Sequence, residues 1–374
     1  MKMTRRERLE ALLEGRPVDR TPACTYGLDR YSMPWMADEP SYAEILSYSD
    51  QYDHIFAYVS SYYASFGNTD VLRLPDPEMA DEQVRREGDS TVREISVRGP
   101  RGPLTCTSRE TDTTYTVWVT EHLVKADEDM AAFIELPFEP KAPTAEEIEA
   151  QRAAVGDRGI LEFQVPTSLC LVCENMKYED FMVRTLIAPK ELFAMLQRCQ
   201  ELVEQWLTAA LENGAGPCLR LFGAEYAAPP MLPPSFFEEA VVNFDKRLVE
   251  IIHDYGAYAR YHCHGPIRQI LDYVMEMGID LLDPCEAPPN GDIGINELAG
   301  IVGDEFIIMG NIQAHDMETL RPEDIDRLVA KALEEVGGRC RHILLPTASP
   351  IEVPLRKQVS DNFRQFLDSA WARG

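Results

Sequence analysis

The densest chemical signal in the sequence is Tyr261-His262-Cys263-His264-Gly265. Side chains alternate along a strand, so His262 and His264 share one side while Cys263 takes the other. Two imidazoles at the carboxyl end of a strand can bind one metal ion, or can stand as a hydrogen-bonded pair inside a barrel. That two of only seven histidines lie so close favours the metal. Upstream, Gly223-Ala224-Glu225-Tyr226 follows an apolar run and offers a carboxylate from the preceding strand, or a loop acid that caps the next segment. Downstream, in Asp283-Pro284-Cys285-Glu286, Cys285 is a zinc thiolate or a small packed hydrophobe. Glu286 reads as an active-site acid, ligating metal or holding substrate, in preference to a solvated turn residue. Asn311 and Gln313 can aim amides at a substrate or satisfy loop backbone.

Two other groupings are weaker. Cys170-Leu171-Val172-Cys173 is a CxxC with neither a thioredoxin-like context nor a second Cys/His pair, so it reads as buried and inert. Tyr26, Tyr31, Trp35, Tyr62 and Tyr63 gather early in the chain, as pocket wall or as core.

Positioning such residues takes a scaffold, and the hydrophobic pattern supplies one. Short apolar runs alternate with helical segments from end to end, the pattern of a parallel sheet covered by helices. Strands are expected at 21–26, 54–60, 160–165, 219–222, 260–264, 280–284, 306–310 and 342–346, the number that closes a (β/α)8 barrel. Capping boxes at Thr144/Glu147 and Ser235/Glu238 open helices; Gly256 closes one, and Pro322 starts another that runs to Gly337. Segments 94–97, 104–108 and 115–120 break the alternation and read as a small antiparallel insertion, about 90–122.

With 36 Lys+Arg against 63 Asp+Glu the chain carries a net charge of −27, which argues against nucleic acid or an anionic membrane as partner. The first fifteen residues read as a charged amphipathic helix rather than an export signal, and no window approaches the roughly 20 apolar residues that span a bilayer. Nine scattered cysteines are not a disulfide framework, so a reducing cytoplasm is the expected compartment.

Taken in order, these residues resemble the uroporphyrinogen decarboxylase superfamily. Met3-Thr4-Arg5-Arg6-Glu7-Arg8 with Gly15-Arg16-Pro17-Val18-Asp19-Arg20-Thr21-Pro22 is similar to its N-terminal helix and first strand. Gly223-Ala224-Glu225, His262-Cys263-His264-Gly265, Gly310-Asn311-Ile312 and Ile343-Leu344-Leu345-Pro346 are similar to its later strands. The similarity covers nearly the whole chain and implies one α/β TIM barrel over 1–374, with an N-terminal helical extension and the β insertion. True decarboxylases carry an arginine-rich Met-Arg-Gln-Ala-Gly-Arg type segment after the first strand. Here Cys24-Thr25-Tyr26-Gly27-Leu28-Asp29-Arg30 has one arginine, a poor match for a porphyrinogen bearing many carboxylates.

The resemblance is therefore closer to the zinc- and corrinoid-dependent methyltransferases. Their His-x-Cys-Gly signature puts His262 at the histidine and His264 at the cysteine. Their cysteine after the last strand has no counterpart in 347–349. What this implies is a zinc ion held by His262, His264 and Glu225, a stronger Lewis acid than one bound by thiolates. Glu286, Asn311 and Gln313 would orient the donor, and Tyr26 and Tyr226 would line the corrinoid side. The methyl group would pass from a small O-methyl donor, a methoxyaromatic first, or an N-methyl donor, to cob(I)alamin on a corrinoid-binding partner protein, giving methylcobalamin. A homodimer is admitted. The competing readings are a non-porphyrin decarboxylase or lyase using His264 or Glu286 as general acid, and a non-catalytic corrinoid- or small-molecule-binding protein.

Overall fold

The computed structural model describes residues 2–59 and 70–374; Ser60, Tyr62 and Tyr63 lie outside them. In chain order the strands are β1 (Ile55–Val59), β2 (Ala80–Glu87), β3 (Ser90–Gly99), β4 (Gly102–Thr111), β5 (Thr114–Glu121), β6 (Gly159–Pro166), β7 (Cys218–Phe222), β8 (Tyr258–His262), β9 (Leu281–Asp283), β10 (Ile307–Ile312) and β11 (Arg341–Pro346). Seven of them make one parallel sheet, β1-β6-β7-β8-β9-β10-β11, and β2-β3-β4-β5 make a separate antiparallel one.

The parallel sheet is TIM-barrel-like, and its first expected strand is reduced to a bridge. Cys24 N–H donates to Leu344 O (2.9 Å), Leu344 N–H to Pro22 O (2.9 Å), and His54 N–H to Ala23 O (2.9 Å). Residues 22–24 thus touch both edges of the sheet without forming a strand. Pro22 has no N–H to give a ladder, and the left-handed backbone of Tyr26 (φ 62) turns the chain away two residues later.

Helices connect the sheet strands as crossovers. The helix Pro189–Glu212 buries Leu192, Met195, Leu196, Leu202, Val203, Trp206 and Leu207 on the stripe a 3.6 period produces. The amino-terminal helix Arg5–Leu13, held by the Thr4/Glu7 capping box, sets Leu9, Leu12 and Leu13 among Phe56, Ile160, Leu281, Ile307 and Ile343. It plugs the amino-terminal end of the sheet and makes the interior floor apolar. The Thr144/Glu147 box holds as expected. Ser235/Glu238 does not: Pro233 and Pro234 set that helix start, since proline's fixed φ suits the first turn, and no side chain caps it.

The insertion starts earlier than expected, because β2 precedes the three anticipated strands. It is fastened by Trp35, whose ring stacks on Tyr115 at 4.3 Å, and by a bridge between Thr114 and Glu352. Among the described residues no helix is long and apolar enough to cross a membrane.

On the outer face of the sheet, Tyr261 donates to Asp245 Oδ2 (2.6 Å) on the helix Asn243–Asp254, while Asp245 Oδ1 is buried with no partner. Burial pushes this carboxyl up to about 7, the Tyr261 bond opposing only in part. A folded-state value above the unfolded one means stability fully present below about 4 that is lost as pH rises through 7. Burial raises Asp53 to about 7 and Asp29 to about 6, in the same sense. Asp245→Asn keeps an acceptor for Tyr261 and removes the charge. It is expected to raise the denaturation midpoint at pH 8, with little change below pH 4, and to flatten part of the wild-type decline.

Candidate active site

Every second residue of a strand faces inward, and above the apolar floor those positions turn polar. Ile160 is followed by Glu162 and Gln164, Cys218 by Arg220, Tyr258 by Arg260 and His262, and Leu281 by Asp283. Pairing places Gln164, Arg220 and Arg260 at one level, and Phe222, His262 and Asp283 at the next. Arg260 donates Nε–H to Asp283 Oδ1 and Nη1–H to Glu162 Oε1, both at 2.7 Å, and all three side chains are buried. Gln164 Nε2 donates to Glu162 Oε2 (2.9 Å), and Arg220 Nη1 to Gln164 Oε1 (2.6 Å). Arg220 also donates to the Tyr26 hydroxyl and lies over its ring.

His262 stands at the upper rim of this network. Its Nδ1 meets Asp283 Oδ2 at 2.7 Å. Burial alone would raise the Asp283 carboxyl, but Arg260, His262 and Arg220 together hold it well below its usual range. An ionised carboxylate only accepts, so Nδ1 carries the proton and Nε2 keeps its lone pair. Burial and the Arg220 guanidinium push His262 down to about 3 against the pull of Asp283, so the imidazole is neutral. The Tyr26 hydroxyl lies 3.3 and 3.4 Å from the two ring nitrogens.

His264 lies past the end of β8, yet its ring meets that of His262 edge-on, centroids 4.5 Å apart. Its Nδ1 is 3.2 Å from Glu286 Oε2, and the same oxygen accepts from Gly265 N–H at 2.8 Å. Burial works against the charge on both partners; the hydrogen bond overcomes it, raising His264 and lowering Glu286. Each histidine thus has Nδ1 against its own carboxylate.

Glu225 sits on the turn Ala224–Ala227 directly after β7, where Gly223 (φ 108) brings the backbone so close to Cys170 that a Cβ would stand 2.3 Å from the cysteine's own. Its Oε2 is buried with no partner, and burial raises its carboxyl despite the nearby His264 charge. Among the described residues no three His, Cys, Asp or Glu side chains are already arranged as a metal cage.

Of the residues singled out from sequence, Tyr26, His262, His264 and Glu286 come together. Gln313 accepts from Asn290 Nδ2 (2.8 Å), its own Nε2 being buried without a partner, and Asn311 is half-buried on β10. The Tyr226 hydroxyl donates to Glu174, and its carbonyl accepts from Tyr178. Cys285 is buried, its thiol donating to Leu282 O at 3.2 Å, and burial pushes it up. Cys170 and Cys173 are buried on the helix Ser168–Glu174.

Glu162, Gln164, Arg220 and Arg260 were not singled out, and Asp283 was seen only as a neighbour of Glu286. Their signal was a charged or amide residue at every second position inside apolar strands.

A TIM-barrel-like sheet with an apolar floor, a buried ionic layer and a rim of carboxylate-tethered histidines defines an α/β protein whose polar side chains gather toward its strands' carboxyl ends, the end at which such folds hold their sites. The chain belongs to the uroporphyrinogen decarboxylase (URO-D) family, whose match covers residues 162–355, just over half its length. Its fold is similar to that of a methyltransferase from Methanosarcina mazei, at 14% identity and a TM-score of 0.64 over 99% of both chains. A B12-independent methionine synthase from a Shewanella species, in complex with selenomethionine, gives 12% identity and a TM-score of 0.42 over 78% of this chain and 74% of that one. No curated protein sequence matches the chain significantly.

Proposed function

We propose that the protein is a methyltransferase that moves a methyl group from a small O-methyl donor to the cob(I)alamin of a corrinoid protein. A methoxylated aromatic is the first donor to try. The observation that carries this reading is the histidine pair, each Nδ1 against a carboxylate and His262 Nε2 left with a lone pair. That is the arrangement in which a carboxylate hydrogen-bonded to the far ring nitrogen orients a metal-bound imidazole. The donor set suits zinc: two imidazoles, and in Glu225 a buried carboxylate oxygen that lacks a partner. His262, His264 and Glu225 would hold the ion, which when bound supplies a Lewis acid for the donor oxygen.

The chain's own groups do the rest. Asp283 fixes the His262 tautomer, and Glu286 bonds both His264 and the Gly265 N–H. Asn311 and Gln313 lie at the same sheet end to orient the donor, while Tyr26 and Tyr226 serve as aromatic walls toward the corrinoid. In the transfer the C–O bond breaks with its electron pair staying on oxygen. The cob(I)alamin of the partner protein would be the methyl acceptor, supplying the electron pair for the new bond to carbon, and solvent would protonate the departing oxyanion. Porphyrinogen decarboxylation fits less well, because both interior guanidiniums already have protein partners: Arg260 two carboxylates, Arg220 an amide and a phenol.

The test is metal analysis of chelator-free protein, followed by anaerobic mixing with cob(I)alamin, methoxyaromatics and methylamines. Stoichiometric zinc, lost in His262→Ala and in His264→Ala together with methylcobalamin formation, is the expected result. Zinc content unchanged in both variants would sink the metal assignment. Turnover that proceeds without any corrinoid would move the reading to a decarboxylase or lyase.

A further inference from the structure

The four-stranded sheet has two unlike edges. On β2 the run Ala80-Asp81-Glu82-Gln83-Val84-Arg85-Arg86-Glu87 carries charges along its length, the device that keeps an exposed edge from pairing with another chain. On β5 no charged side chain occurs from Thr113 through Thr120. The start of β5 is covered: Tyr115 N–H donates to Ile351 O (2.7 Å) and Val353 N–H to Thr113 O (2.8 Å). Past that point no strand pairs with its outer edge among the described residues. Val117, Trp118 and Val119 are 39%, 44% and 37% exposed, and since consecutive residues point to opposite faces, both faces there are open.

The open stretch, 116–120, reads Thr-Val-Trp-Val-Thr, the same in both directions. A two-fold axis through Trp118 would lay it antiparallel against its own copy. Trp118 then meets Trp118 and Val117 meets Val119; the register of β5 against β4 shifts on both sides of this triplet, so Val117–Val119 is the regular segment of the edge. Aromatic and β-branched pairs of these kinds each stabilise a ladder, and an isologous contact requires this self-complementarity. Two chains of charge −27 repel over most approaches, and an uncharged edge is where that repulsion is least. We infer that β5 is a homodimerisation edge, on which a second copy of this chain adds its own β5 and extends the insertion into a continuous eight-stranded sheet across the axis.

Sedimentation equilibrium of the full chain across the micromolar range tests this. The expected result is a concentration-dependent dimer that strengthens with added salt, because screening relieves the mutual repulsion. Trp118→Lys, which sets two ammonium groups face to face at the axis, weakens the dimer at least about tenfold; Val84→Lys on the opposite edge leaves it unchanged. Trp118→Cys provides an independent arm, since a residue on the axis meets itself and mild oxidation with diamide then yields a covalent dimer. A chain that stays monomeric throughout, or a dimer that a folded Trp118→Lys leaves intact, overturns the inference. If Trp118→Lys does not fold, absence of the Trp118→Cys cross-link overturns it.

Discussion

Replacing Arg260 by leucine is expected to destabilise the protein by about 3–5 kcal/mol, the range found when one member of a buried ionic group is removed. Arg260 is 1% exposed and bridges two carboxylates that are themselves fully buried, Glu162 and Asp283. Leucine fills much of the space but cancels the positive charge between them. Among the described residues Glu162 keeps the Gln164 amide and a weak Cys218 thiol contact, while Asp283 keeps His262 and an Arg220 guanidinium 3.9 Å away. The cost is thus mostly that of leaving the buried Glu162 carboxyl without its guanidinium partner. Adding Glu162→Leu should recover a large part of the loss, because an apolar replacement of a buried ionic group is often close to neutral. Urea unfolding at pH 7 checks both. If Arg260→Leu unfolds at the wild-type midpoint, the layer is not ionised as its geometry implies.

The scaffold was easier to read than this layer. Apolar runs bounded by turn residues located the parallel strands to within a few residues: the stretch expected at 160–165 is Gly159–Pro166, and that at 306–310 is Ile307–Ile312. The misses have physical causes. β2 is exposed along nearly its whole length, so no buried face imprinted an alternating pattern on it. Residues 21–26 do carry the apolar character of a strand, but Pro22 and the left-handed turn at Tyr26 cut it to a bridge.

The histidine pair was legible because both imidazoles lie within three residues of one another. Arg220, Arg260, Glu162 and Asp283 come from four different strands. Each alone reads as an isolated polar residue in an apolar run, and only the register between strands, which depends on the curl of the whole sheet, brings them to adjacent levels. Glu286 owes its place to the loop after β9, where its carboxylate gathers both Gly265 N–H and His264. No local pattern encodes that meeting.

The second large effect is expected at Asp283→Asn, a change of one atom type at a positioning residue. Its two oxygens have separate tasks: Oδ1 accepts from Arg260 Nε–H, and Oδ2 accepts from His262 Nδ1–H. An asparagine has one oxygen for the two donors. Arg260 cannot give up its proton, so the amide oxygen is drawn to the guanidinium and the NH2 group is turned to His262. Nδ1 must then accept, the ring proton moves to Nε2, and the lone pair that faced the site is lost. The Asp→Asn exchange in a serine-protease triad inverts a histidine tautomer by the same logic. Nitrogen chemical shifts of His262 report the switch directly and do not depend on any assumed reaction: wild type should show a protonated Nδ1 and the variant a protonated Nε2. If the proposed transfer is correct, zinc affinity or the rate of methylcobalamin formation should fall about 10–100-fold with the switch. An unchanged His262 tautomer would mean that Asp283 serves the Arg260 charge alone, and the histidine would then need another group to orient it.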